Sequence, residues 1–176
     1  MTFKQASGAV LAELQQALSA VPEDPIGALC DALQQARAVF VTGEGRSGLV
    51  ARCFAMRLAH LGLRAHVVGG TTAPVLGEGD ALLAVSRTGE TAVTCTVARL
   101  AAEAGGEVLV ITSAPNSSLA SCGDLIATIP QIPSQQYGGS AFEQSALIAL
   151  DAVVMMLRHR LGVTDQAMDA RHANLE

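Results

Sequence analysis

The sequence predicts an α/β fold, a three-layer α-β-α sandwich built on a five-stranded parallel sheet. Three observations carry that expectation. From residue 38 onward, short runs rich in Val, Ile and Leu alternate with segments of helical length. Those runs are apolar throughout rather than alternating with polar residues, as strands covered on both faces must be. The first run leads through "GEGRSG" into a helix-like segment, a glycine-rich turn of the kind that joins strand to helix at an anion site.

In chain order, residues 2–20 place Val10, Leu11, Leu14 and Leu18 at helical spacing. "EDPIGALCDALQQA" then restarts a helix, with Asp24 as the expected N-cap and Pro25 at the first helical position. Strands follow at "AVFVT", "RAHVV", "ALLAVS", "EVLVIT" and "LIATI", with helices expected from about Ser47 to Leu61 and from about Glu90 to Ala104, and a short helical turn near Ser118. "IPQIPSQQYGGS" reads as a surface connection, and a long helix over about Ser140 to Leu161 precedes the polar tail "VTDQAMDARHANLE". The 176 residues suit one domain, residues 1–176, with a helical extension over about 1–36 and a C-terminal helix and tail over about 140–176.

Composition excludes several function classes. With 16 acidic against 11 basic residues the net charge is -5, which argues against a nucleic-acid or anionic-membrane partner. Aromatic residues make up 3% of the chain with no Trp, so no platform for stacking bases is expected. Cys30, Cys53, Cys95 and Cys122 are scattered without a C-x-x-C pair, and "MTFKQASGAVLAEL" lacks the apolar core of a signal peptide, so a cytoplasmic protein with reduced thiols is expected. No metal is expected either, because His60, His66, His159 and His172 form no ligand motif. The most apolar run, "ALIALDAVVMML", is too short for a bilayer and is interrupted by Asp151. It reads as a buried helix.

Gly43, Gly45 and Gly48 match the spacing G-x-G-x-x-G, yet a dinucleotide is not the expected ligand. A dinucleotide fold carries an acidic residue about 20 positions further on to hold the ribose, and here that place reads "HVVGGTTAP". The second loop is more informative. Ser86, Arg87, Thr88, Gly89, Glu90 and Thr91 follow a strand and open a helix, so three hydroxyls stand beside free N–H groups, a compact cradle for a phosphate monoester. Simple helix capping by the same hydroxyls is the competing reading. Both loops leave the carboxyl ends of strands, where open α/β sheets bind ligands.

"GEGRSG" and "SRTGET", on a chain with two leading helices and five strands, resemble the sugar isomerase (SIS) domain family, a flavodoxin-like fold. "GRSGLVARCFAMRLAHLG", "VVGGTTAPVLGEGD", "SAFEQSALIALDAV" and "RHANLE" resemble its 6-phospho-3-hexuloisomerase branch over about residues 5–176. The resemblance implies an isomerase interconverting D-arabino-hex-3-ulose 6-phosphate and fructose 6-phosphate through a cis-enediol, without a cofactor, in the ribulose monophosphate pathway of formaldehyde assimilation. It implies Glu143 as the base, and His172 as a group completing the site of a neighbouring chain. Gly45, Arg46 and Ser47, with Ser86, Arg87, Thr88, Gly89, Glu90 and Thr91, would hold the phosphosugar. Two positions depart from the family pattern: Arg87 stands where a small residue is usual, and Ala141 in "GSAFE" replaces a bulkier one. The guanidinium of Arg87 would either contact the substrate or fill its pocket.

Ser140-x-x-Glu143 also reads as a capping box, a purely structural role for the same carboxylate. His172 in a polar tail reads equally as a surface residue, and Arg52 and Arg57 as solvated or interface charges. Leu147, Ile148, Leu150, Val153, Val154, Met155, Met156 and Leu157 make the last helix apolar nearly all round, so a homodimer or homotetramer is expected to cover it. The alternatives within reach of the sequence are a non-catalytic sugar-phosphate-binding SIS module and an isomerase of another phosphosugar.

Overall fold

Every residue of the "ALLAV" run is buried, and its side chains alternate between two separate cores. That follows from a central strand covered on both faces. The computed structural model describes residues 1–174 and contains five strands, β1 (Val39–Thr42), β2 (Ala65–Val67), β3 (Ala81–Val85), β4 (Glu107–Thr112) and β5 (Leu125–Thr128). All pair in parallel in the order β2-β1-β3-β4-β5. Val39 stands in register with Ala65 on one side and Ala81 on the other. The order reverses direction at β1 and β3, so the loops leaving those two strands diverge and open a crevice between them.

Helices α2 (Glu23–Gln35), α3 (Gly45–Leu61) and α5 (Ser140–Leu161) cover one face, burying Leu33, Phe54, Leu58, Leu150 and Leu157 against Val41, Leu83 and Ile111. The other face is thinner. There α4 (Ala92–Glu103) and a single 3-10 turn at Ala120–Cys122 bring small residues, Ala98 and Ala101, against Phe40, Leu82 and Val110. α1 (Phe3–Ser19), closed at its start by a capping box of Thr2 and Gln5, packs on α5.

Two expectations need correction. Asp24 is not an N-cap: α2 starts at Glu23 after an extended Pro22, leaving Asp24 in the first turn and Pro25 at the third position. Proline costs nothing there, because the first four N–H groups of a helix lack intrahelical partners, and the two acidic residues complement the helix dipole. The polar tail is not uniformly irregular, since Thr164 caps a short α6 (Asp165–Asp169) whose Met168 packs on the core. The tail motif's last two residues, Leu175 and Glu176, lie outside the described residues.

α5 is long and apolar enough to cross a membrane by length and composition alone. It serves here as a core helix, burying Phe142, Ala146, Leu150, Val153, Val154 and Leu157. Among the described residues, part of its opposite side is left uncovered. Ile148 and Met155 are exposed, and a groove of about 990 Å3 runs between α5 and the α1–α2 connection, lined by Leu18, Val21, Ile26, Ile148 and Met156.

Candidate active site

The turn from β1 into α3 is built by backbone contact. A Cβ on Gly43 would stand 2.8 Å from the Val85 carbonyl oxygen, and one on Gly48 would stand 2.4 Å from the Gly43 carbonyl oxygen. Gly45 adopts φ +56, in the left-handed region. The three glycines therefore hold strand end, helix start and β3 together, and they set Arg46 and Ser47 in the first turn of α3. Ser47 is buried at the crevice wall, and Arg46 reaches outward.

The β3–α4 loop forms the opposite wall. Ser86 Oγ accepts from the Gly89 N–H at 3.2 Å and lies 3.2 Å from Thr91 Oγ1, while Thr88 Oγ1 accepts from the Glu90 N–H at 3.3 Å. Gly89 has φ +64, and a Cβ there would fall 1.9 Å from Ser117 Oγ. The loop can therefore close against the β4 side only with glycine. None of the hydroxyls caps α4, whose N-cap Thr91 makes no side-chain capping bond. α3 and α5 likewise begin without side-chain caps, so the first-turn N–H groups of all three helices are left to a ligand or to water. Between the two walls lies a polar cleft of about 160 Å3, lined by Glu44, Ser47, Ser86, Arg87, Thr88 and Thr91.

Glu143 stands in the first turn of α5 and is joined to the β1–α3 turn through Arg46. The capping box does not form, because the helix starts at Ser140 itself, with Gly139 as N-cap, and Ser140 Oγ donates to the Tyr137 carbonyl. The carboxylate is freed from a capping role and its Oε2 accepts from Arg46 Nε. The Glu143 side chain is 15% exposed and that of Arg46 58%. On the other side stands Arg87. A Cβ on Gly139 would lie 3.0 Å from Arg87 Nε and 3.1 Å from Glu143 Oε1, so the guanidinium folds over the bare N-cap toward the carboxylate. One carboxylate, at the uncapped start of α5, thus has a guanidinium group bonded to it and a second close by. The carboxylates of Glu143 and Glu44 offset the two guanidinium charges, so what the site offers an anionic ligand against a negative whole-chain field is the set of uncapped helix starts.

Two residues singled out from the sequence lie elsewhere. The Glu90 carboxylate turns away from the cleft and accepts from Ser118 N–H at 2.8 Å and Ser118 Oγ at 2.6 Å, and these bonds, the hydroxyl's first, hold it below the usual carboxylate range. Within one chain it ties the β3–α4 loop to the segment that leads into the 3-10 turn. His172 stacks on His60 at 4.9 Å between ring centroids, in the last turn of α3. Arg46 is at the other end of that helix, about 21 Å away at 1.5 Å per residue, so His172 does not reach the Glu143 of its own chain. The sequence missed Glu44 as a lining residue and missed the partnership of Arg87 with Gly139. A glycine immediately before "SAFE" was the available signal for the second.

The SIS domain family matches residues 32–157. The chain belongs to the SIS family. It is 36% identical to a 3-hexulose-6-phosphate isomerase of Bacillus subtilis (strain 168), over 95% of each chain, and 38% identical to one of Mycobacterium gastri, over 93% of this chain and 86% of the relative. Among solved SIS structures, a Methanococcus jannaschii protein with an inferred function of 3-hexulose-6-phosphate isomerase superposes with a TM-score of 0.90 at 31% identity, covering 98% of this chain and 99% of its own.

Proposed function

We propose that this chain interconverts D-arabino-hex-3-ulose 6-phosphate and fructose 6-phosphate, with Glu143 as the base that moves the proton. That it is a phosphosugar isomerase rests on relatives named 3-hexulose-6-phosphate isomerase that match nearly the whole chain. The observation that carries the assignment of the base is the position of Glu143, at an uncapped helix start, bonded to Arg46 and close to the Arg87 side chain that lines the hydroxyl-bearing cleft.

In the direction of fructose 6-phosphate, Glu143 takes the proton from C2 while the C3 carbonyl oxygen gathers negative charge, giving a cis-enediol with a C2–C3 double bond. The hydroxyl proton on O2 passes to O3 and the carbon-bound proton returns to C3, which restores a ketone at C2. No electrons leave the sugar, so the isomerisation needs no redox partner. Arg46 and Arg87 flank the carboxylate and are placed to stabilise the enediolate oxygens, the contribution expected of fixed charges aimed at developing charge. Gly45, Ser47, Ser86, Thr88, Gly89 and Thr91 hold the phosphate and hydroxyls, with N–H groups of α3 and α4 as donors. His172 serves the oxygens of a neighbouring chain's substrate, since an imidazole ring can both donate and accept a proton. That arrangement requires a homodimer or homotetramer, for which the uncovered α5 groove offers an apolar surface. In this reading residues 1–176 work as one unit in the cytosol.

The test is solvent-proton exchange into fructose 6-phosphate followed by NMR, with EDTA present and no nicotinamide added. Exchange and conversion are expected. Binding of fructose 6-phosphate without exchange would replace the isomerase by a sugar-phosphate sensor.

A further inference from the structure

α1 contributes a buried carboxylate that the reaction does not use. Glu13 is 8% exposed, and among the described residues the hydrogen bonds to its oxygens come from one stretch of the connection between β5 and α5. Its Oε1 accepts from the Gln135 N–H at 2.7 Å, and its Oε2 accepts from Ser134 Oγ at 2.7 Å and Gln136 Nε2 at 2.9 Å. Ser134 Oγ in turn accepts from the Gln136 N–H at 3.0 Å. These bonds, the Gln135 backbone first, hold the Glu13 carboxyl below its usual range, so the ionised acceptor is the form present at neutral pH.

The connection has no other such fastening. Among the described residues, the hydrogen bonds of residues 130–136 run to Glu13 or within the stretch, while Ile129 is tied to Thr112 and Ser113, and Tyr137 to Ser140. The stretch forms no helix or strand and ends at Gly139, the N-cap of α5, against which Arg87 rests four residues before Glu143. We propose that Glu13 is a positioning residue, a clamp on α1 that fixes the entry into α5 and thereby the stance of Glu143 between Arg46 and Arg87. The inference rests on Glu143 being the base. A placement error of about 1 Å in a reacting group costs up to about a hundredfold in rate, which is the lever the clamp controls.

The chain supplies its own reporter, because Tyr137 is its one tyrosine, there is no Trp, and that tyrosine directly follows the clamped residues Ser134, Gln135 and Gln136. The full-length protein, Glu13→Ala, Glu13→Gln and Ser134→Ala would be compared for kcat, for affinity toward inorganic phosphate by 31P NMR, for Gln135 amide exchange, and for tyrosine anisotropy. Glu13→Ala is expected to lower kcat by about tenfold and Glu13→Gln, which keeps one acceptor, by about threefold. Phosphate affinity should be unchanged, Gln135 should exchange faster, and tyrosine anisotropy should fall. Ser134→Ala should give a smaller loss that does not add to that of Glu13→Ala, and it carries the test if Glu13→Ala fails to fold. Unchanged Gln135 exchange would overturn the clamp, as would faster exchange with undiminished kcat, or phosphate affinity falling in step with kcat. If the unaltered protein does not isomerise, the isomerase reading falls by itself, and Gln135 exchange with tyrosine anisotropy decides whether the clamp exists.

Discussion

Replacing Glu143 by Gln separates what this side chain does for the fold from what it does for the reaction. Its structural bonds are few. Ser140 donates to Tyr137, and the Glu143 N–H bonds to Gly139 through the backbone, so neither contact depends on the carboxylate. What the amide loses is the pair with Arg46, whose side chain is 58% exposed, and such pairs contribute about 0–1 kcal/mol. Glu and Gln have similar helix propensity. A loss within about 1 kcal/mol shifts the melting temperature by about 2–4 °C in a chain of this size. Catalysis should respond on another scale, because an amide cannot accept a proton from carbon. Removal of a general base costs about 10² to 10⁴ in kcat, equivalent to about 3–5 kcal/mol at 1.36 kcal/mol per decade. The assay is solvent-proton exchange into fructose 6-phosphate beside a calorimetric melt on the same samples. Activity within tenfold of the unaltered protein, or a loss accompanied by collapse of the melt, would refute the assignment.

Other substitutions probe the surroundings. Arg87→Gly should raise KM by about tenfold or more, as expected for loss of a charged hydrogen bond of about 1.5–3 kcal/mol, and improved binding in a substrate titration would mean the guanidinium obstructs the site. Gly89→Ala should destabilise by about 2–4 kcal/mol, combining a left-handed backbone cost with overpacking against Ser117 Oγ. Ser117→Gly in the same chain should recover part of that in a urea titration, and no recovery would contradict the contact. Asp80, 3% exposed and doubly bonded to Arg37, is held below the usual carboxylate range by that guanidinium. A depressed folded-state pKa adds stability above the unfolded value that is lost as pH falls through the folded one, so Asp80→Asn should cost about 2 kcal/mol at pH 7 and progressively less below about pH 4. A pH-independent difference would contradict the ionised pair.

The strands were legible because apolar β-branched runs between turn residues have few other uses, and their boundaries fall within about two residues of expectation. Gly43, Gly45 and Gly48 announced a strand-to-helix turn, although only the structure reveals that two of them are required by backbone contact. The Ser140–Glu143 capping pattern misled by a single residue. The helix begins at Ser140 rather than after it, and spacing alone cannot set that start. α6 escaped notice because five residues are too few for a helical period. Glu13 was invisible for a different reason: its partners stand more than 120 positions away, and nothing in the local pattern of α1 distinguishes it from a solvated helix carboxylate.

The backbone contact between Gly43 and Gly48 leaves no side chain between the end of β1 and the start of α3. Arg46 therefore rides on an anvil that cannot shift without dislodging the central sheet. Glu143 is carried on a jaw whose reach depends on the length and fastening of residues 129–139. A related chain adapting to a longer or shorter sugar has freedom on the jaw side alone. Changes of substrate length within this architecture should accumulate as insertions and deletions before α5, with the glycine turn after β1 unaltered.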